Sequence, residues 1–327
     1  MATSNSWNLS ATASDIITAA MEDIGVLAAG ETLSSEDQST ALRTLNYIAK
    51  QWQADTSLFP GFSAQVRKTI TLFLTKNKSH YLVGPAATDD RATAQYGRTT
   101  IDAAEASGQT IISVTATTDA TTNPGTTVTM TTSDIIGIEQ NDGTIHWSTI
   151  ASVAAGDTVT IDVATTAAAA VGNYVWWFTS RAQRFVDIES AVLRDENLKD
   201  IPLGVIRTVA AYESLSDKTA DGDPTAILIE PFYLNTRVTT DVQPSDVTKQ
   251  IRMVVRYPAE DYDSAANDIA YPQEAFGALE WELAFRSAPK FGVQWSATHQ
   301  ANHTAAVGMV KRLYPEVSDL YFQPGLE

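Results

Sequence analysis

Cysteine is absent from all 327 residues, which excludes disulfides, thiolate metal sites and a cysteine nucleophile. Histidine is scarce, with four residues, so imidazole chemistry has few places to be. No apolar run approaches the ~20 residues that a membrane-spanning helix needs. The first fifteen residues, MATSNSWNLSATASD, lack the charged and apolar regions of a secretory signal. The expectation is a soluble protein made in the cytoplasm, with no membrane partner. Basic residues are also short: 22 Lys and Arg stand against 39 Asp and Glu, for a net charge of -17. That balance argues against a surface that grips phosphates.

The shortage of positive charge is local as well as global. Between Thr99 and Ser180 there is no Lys or Arg, while eight acids occur and 20 of the 82 residues are threonine. Short β-like runs at 111–115, 126–130, 135–139, 144–153, 158–163 and 174–178 alternate with Gly, Asn and Pro turns, the pattern of a small β-sandwich or barrel. The block reads as a domain inserted into a host of different composition. β-Branched threonine suits exposed strand faces, and the missing positive charge points away from an acidic partner.

The host reads as helical at both ends. Ser14 is placed to cap a helix with Ile16, Ile17, Ala20, Met21 and Ile24 on one face and Gly25 near its end. Ser35-Glu36-Asp37-Gln38 has the spacing of a capping box, and Ala41, Leu42, Leu45, Ala49 and Trp52 then recur at helical spacing to about Ala54. The two helices should pack antiparallel about the loop at Gly30. Residues 69–74 and 80–83 read as strands paired around Lys76-Asn77-Lys78. Beyond the insert, 184–189, 226–230 and 250–257 read as strands, and Pro202-Leu203 as a turn into a short helix over 205–212. Pro272 should start a helix carrying Ala275, Phe276, Leu279 and Leu283, and Pro289 should end it. A last helix runs from about Ala297 to Leu313, before an extended tail that carries Leu320, Tyr321 and Phe322. The expected fold class is therefore α+β: a helical bundle core with small β-sheet elements and an inserted all-β sandwich or barrel. The expected domains are 1–98, the helical pair and hairpin; 99–180, the insert; and 181–327, the remainder of the core with C-terminal helices and tail.

Candidate chemistry is thin. His299 and His303 have the four-residue spacing of a helical metal pair, but Gln300, Ala301 and Asn302 between them supply no glutamate base and no third ligand is evident. Gly61-Phe62-Ser63-Ala64-Gln65 starts like a nucleophile elbow and lacks its second glycine. Glu260, Asp261 and Asp263 could supply a paired carboxylate, though such a run after Pro258 reads first as a solvated loop. Asn141-Asp142-Gly143 is a hairpin signal, so Thr144, His146 and Ser148 should share the polar outer face of a strand and Ile145 and Trp147 its core face. No catalytic, cofactor or metal residue is assigned, no enzyme activity is expected, and Thr144, His146 and Ser148 are candidates for the insert's surface.

Four segments occur in one order: ALRTLNYIAKQWQAD (41–55), KSHYLVGP (78–85), DIPLGVIRTVAAYESL (200–215) and YPQEAFGALEWELAFRSAPKFG (271–292). Together they resemble the head-to-tail adaptors of short-tailed bacteriophages, the family also called tail tubular protein A or packaged-DNA stabilisation protein. The stretch IIGIEQNDGTIHWSTIASVAAGDTVTI (135–161) is likewise similar to β inserts of phage adaptors and tail proteins. The resemblance implies a structural virion protein of the neck, assembled in the host cytoplasm. It implies a twelvefold homo-oligomeric ring that joins the portal protein to the tail nozzle, extends the DNA channel and helps retain packaged DNA. Helices 15–54 and 272–313 would build the ring, Leu320, Tyr321 and Phe322 would contact the portal, and a tail fibre or spike would be a further partner. DNA would cross the lumen without specific binding, since an acidic wall repels phosphate where cationic contacts would hold it. The alternatives are a virion-associated cell-wall or capsule hydrolase using Glu260, Asp261 or Asp263, and a fibre-docking or carbohydrate-binding module built on the insert.

Overall fold

A computed structural model describes residues 9–54, 66–123, 125–258 and 260–313. They fall into two compact units: one takes the residues up to 66 and from 258 onward, and the other takes residues 67–257. Neither boundary coincides with 98/99 or 180/181.

The first unit is helical. α1 (Ala13–Asp23) and α2 (Ser35–Ala54) pack with α4 (Phe276–Ser287) and α5 (Ala297–Leu313) around a core that includes Ile17, Met21, Leu45, Ile48, Leu279 and Leu283. The apolar stripe predicted on α1 is the buried one. Both N-caps sit one or two residues before the expected position. Thr12 Oγ1 accepts from the Asp15 N–H and the Asp15 carboxylate accepts from the Thr12 N–H, so Ser14 lies inside the helix. Ser34 and Asp37 make the corresponding pair for α2. Two of the resembling segments meet here: Tyr271 Oη donates to the Ala49 carbonyl at 2.8 Å, and its ring meets Trp52 edge-on at 5.9 Å.

The second unit is built on two sheets. The eight-stranded sheet contains β1 (Val66–Phe73), β2 (His80–Val83), β3 (Ala92–Thr93), β12 (Asp187–Arg194), β13 (Asp200–Ile206), β15 (Ala226–Pro231), β16 (Thr236–Thr240) and β18 (Gln250–Tyr257). Its order is β2-β16-β15-β13-β12-β18-β1-β3, and it curls into a nearly closed barrel. The Asp90 N–H donates to the Leu82 carbonyl beyond β2, and the Phe73 N–H of β1 donates to the Arg91 carbonyl, so the two edges approach through residues 90–91. Ile70, Leu72, Tyr81, Leu193, Val238, Ile251, Met253 and Val255 fill its interior. The six-stranded sheet is a half-barrel of β4 (Gly97–Thr100), β5 (Ile111–Ser113), β8 (Ile135–Glu139), β9 (Ile145–Ala154), β10 (Thr158–Ile161) and β11 (Tyr174–Phe178), ordered β4-β11-β8-β9-β10-β5. Two-residue ladders, β6 (Thr118–Asp119) with β7 (Val128–Thr129) and β14 (Asp221–Gly222) with β17 (Gln243–Pro244), complete the strands.

Both faces of β11 are buried, which explains its unbroken Tyr-Val-Trp-Trp-Phe sequence. Val175 and Trp177 enter the core of the half-barrel. Trp176 and Phe178 face the other way and join Phe73 and Tyr96 in a second cluster, where Phe73 stacks on Phe178 at 5.9 Å. Gly137 on β8 lets the Trp147 ring lie against the backbone, since a Cβ there would come within 2.5 Å of it.

These arrangements correct the expected fold class. Among the described residues the chain is mostly β, with 23% in five helices counting the short α3 (Val209–Glu213), so the large sheets, and no helical bundle, dominate it. β1 and β2 do not pair with each other; β1 runs beside β18 and β3, and β2 pairs with β16. The expected strand 184–189 is displaced to 187–194, and Pro202-Leu203 lies inside β13 rather than in a turn.

Candidate functional site

The β8–β9 hairpin carries the residues that drew attention in the sequence. Its loop closes through Gln140 N–H to the Thr144 carbonyl at 2.9 Å and Gly143 N–H to the Gln140 carbonyl at 3.0 Å, with Gly143 at φ 78°. That is a three-residue loop ending on a left-handed glycine. The Thr144 hydroxyl and then its N–H donate to Asp142, holding that carboxyl below its ordinary range. Burial pushes Glu139, at the start of the loop, above its own range, although its carboxylate accepts from the Tyr174 N–H at 2.8 Å.

Beyond the loop Ile145 and Trp147 pack against the Phe73 cluster as expected, but the face predicted to be outer is covered as well. His146 and Ser148 are buried at 7% and 8% exposure, and Trp147 is half-buried on the opposite side. His146 Nε2 lies 3.0 Å from the Val163 carbonyl oxygen; since a carbonyl only accepts, this nitrogen carries the proton. Ser148 Oγ accepts from the Val163 N–H at 2.9 Å. The two side chains thus hold the backbone N–H and C=O of one residue, Val163, of a neighbouring segment. Thr144 alone of the three insert-surface candidates is exposed.

The other candidates resolve into structural contacts. Asp261 pairs with Lys50 at 2.7 Å, and Tyr262 is buried, its backbone held by both ends of the Asn46 amide at 2.8 Å. The acidic run is therefore a loop pinned to α2. His303 Nε2 lies 2.7 Å from Glu282, which also receives Arg286, whereas the His299 ring packs on Trp295 at 5.1 Å. Both rings lie against Trp295, and among the described residues no group of three His, Asp or Glu could hold a metal. Residues 61–65 and Leu320, Tyr321 and Phe322 lie outside the described residues.

The surface feature that sequence reading missed is the tip between β15 and β16. Phe232, Tyr233 and Leu234 are 44%, 89% and 70% exposed. The Phe232 N–H closes the turn on the Asn235 carbonyl at 2.8 Å. Below it, Arg237 donates to Glu230 through Nε and Nη2 and lies 5.2 Å from the Phe232 ring centroid. The base of the tip is thus fixed while two large side chains stand in water. The signal was present in the sequence: Pro231-Phe232-Tyr233-Leu234-Asn235 puts three apolar residues where a hairpin turn normally carries polar ones. Contiguous exposed apolar residues of this kind mark interaction sites. No helix among the described residues is long and apolar enough to cross a membrane. No protein-family model matches the chain, and no curated protein matches it.

Proposed function

We propose that the chain is a structural virion protein: a head-to-tail adaptor whose copies form a ring between the portal and the tail nozzle, extend the DNA channel and help retain the packaged genome. The identification rests on the order of the four resembling segments. The observation that carries it to an assembly role is the apolar tip at Phe232, Tyr233 and Leu234, with the Arg237–Glu230 pair at its base and its side chains exposed to solvent in the single chain. Side chains of this size gain energy only when a partner covers them, which suits a subunit whose work lies in interfaces. A net charge of -17 per copy suits a duct that DNA traverses without being held. The partners in this reading are other copies in a twelvefold ring, the portal, the nozzle and a fibre or spike, and the location is the neck of the virion.

Negative-stain images of the purified chain mixed with its portal protein test the reading. A ring of twelve copies seated on the portal is the expected result. Absence of any complex with the portal, or clearing of peptidoglycan by the protein that disappears in a folded Asp263→Asn variant, overturns it.

A further inference from the structure

We infer that a pocket of about 200 Å3 in the β-sheet unit binds a small hydroxylated oxyanion, the chemistry of a sugar acid. The pocket's floor is the outer face of three neighbouring strands. Alternation sends Ile70, Leu72, Leu193, Ile251 and Met253 into the barrel, and so turns Thr69 and Thr71 of β1, Arg194 of β12 and Arg252 of β18 outward into the pocket. Its opposite wall is the turn carrying Thr122 and Asn123.

These groups are fixed before any ligand arrives. Arg194 is held by a two-point contact with Asp200, Nε at 2.7 Å and Nη2 at 2.8 Å. Tyr96 Oη donates to the buried Gln250 at 2.7 Å, and the Asn123 amide donates to the Tyr96 carbonyl, so the turn is tied down beside the floor. Arg252 is different. Its Nη1 lies 3.9 Å from Asp200 Oδ2, beyond hydrogen-bonding distance, and Asp200 is already committed to Arg194. A planar five-donor guanidinium is thereby presented with no hydrogen bond to another described residue. Thr122 is 4% exposed, and its N–H donates to the Asp119 carboxylate at 3.3 Å, which fixes this wall of the pocket.

The ligand class follows from the lining. The lining carries two guanidinium groups and no carboxylate, and Asp200 behind it is committed to Arg194. Arginine recognises carboxylate and phosphate oxygens through paired bonds. The surrounding threonine hydroxyls and side-chain amides both donate and accept, as sugar hydroxyls require. At roughly 30 Å3 per water the pocket holds six or seven waters, a monosaccharide's worth and too little for a nucleotide. The site is independent of the adaptor reading.

Calorimetric titration of the full chain with glucuronate, glucose and inorganic phosphate tests the site. The expected result is saturable binding of glucuronate, with glucose at least roughly tenfold weaker. Arg252→Gln should weaken glucuronate by at least roughly tenfold, while Arg207→Gln, an arginine outside the pocket, should leave it unchanged. Arg252→Lys keeps the charge without the fork and should fall between, which preserves the test if the glutamine variant does not fold. No glucuronate binding up to about 10 mM, equal binding of glucose, or full affinity in a folded Arg252→Gln protein would falsify the site. Phosphate binding as tightly as glucuronate would overturn the sugar-acid class.

Discussion

His146 Nε2 donates to the Val163 carbonyl across 3.0 Å, and this bond makes a histidine that looked like an outer-face residue part of the half-barrel's interior. Replacing it with alanine removes this bond together with the buried ring that makes it. His146→Ala should therefore lower the unfolding free energy by about 1–3 kcal/mol in urea titrations. Thr144→Ala, two residues away on the exposed loop, should change it by less than about 0.5 kcal/mol. Equal effects of the two substitutions would return His146 to the surface.

Gly137 makes the second prediction. A Cβ on it would stand 2.5 Å from Trp147 Cζ3, and the ring cannot simply withdraw because its other side meets Phe73 at 5.2 Å. Gly137→Ala should cost about 1–3 kcal/mol through this overpacking. It should also change the near-ultraviolet circular dichroism, since the Trp147, Phe73 and Phe178 rings must shift together. The same cluster bears on any attempt to excise residues 99–180, because removing Trp147, Trp176 and Phe178 uncovers Phe73 on the remaining sheet.

How far the chain could be read beforehand varies with how local the determinants are. The apolar face of α1 follows from helical spacing alone and is the buried one, and α5 lies at the expected residues. The β8–β9 hairpin follows from Asn141-Asp142-Gly143. The faces of β9 did not, because alternation identifies an inside only when the other side is wet. Here Trp147 packs against Phe73 while His146 and Ser148 satisfy their polar atoms on Val163, so both sides are covered. The pairing of β1 with β2 failed for a different reason. Adjacent strands with a turn between them suggest a hairpin, yet the barrel places β12, β13, β15, β16 and β18 between these two, a non-local choice that no short window contains. Pro202 disguised β13: it pairs opposite Val192, and as a residue without an N–H it resembles a turn signal more than a ladder position. Of the site residues, the apolar tip was legible as a turn of the wrong composition; the Arg194–Arg252 pocket was not, since its parts are spread over strands more than 100 residues apart.

The helical unit should carry a pH response. Burial, reinforced by a hydrogen bond with Asp23 and that residue's charge, pushes the Glu280 carboxyl from 4.5 up to about 7. A carboxyl with a raised value in the folded state keeps its proton to higher pH than the unfolded chain does. Its contribution is fully present below pH 4.5, declines as pH rises toward 7 and is gone above that. The decline should be on the order of 1 kcal/mol, because a carboxyl only half removed from water is screened. Glu280→Gln, which holds the neutral form at every pH, should flatten the melting temperature between about pH 4 and pH 7.5, values that bracket the titration window. An unchanged slope in that variant would assign the response to other groups.

The tip between β15 and β16 supplies the prediction that separates assembly from folding. Tyr233 and Leu234 are 89% and 70% exposed, so neither contributes much burial to the single chain. Exposed substitutions away from special backbone positions shift stability by less than about 0.5 kcal/mol, and Tyr233→Ser with Leu234→Ser should leave the melting curve of the isolated protein where it was. In an assembly the same residues would be covered, and losing a pair of such anchors typically costs about 2 kcal/mol or more per interface, over tenfold in affinity. The double variant should accordingly remain folded while its ring on the portal, scored by negative stain and by sedimentation, is lost or needs roughly tenfold more protein to form. Normal rings from the double variant would remove the tip from the interface and leave the adaptor reading resting on the order of its four segments alone.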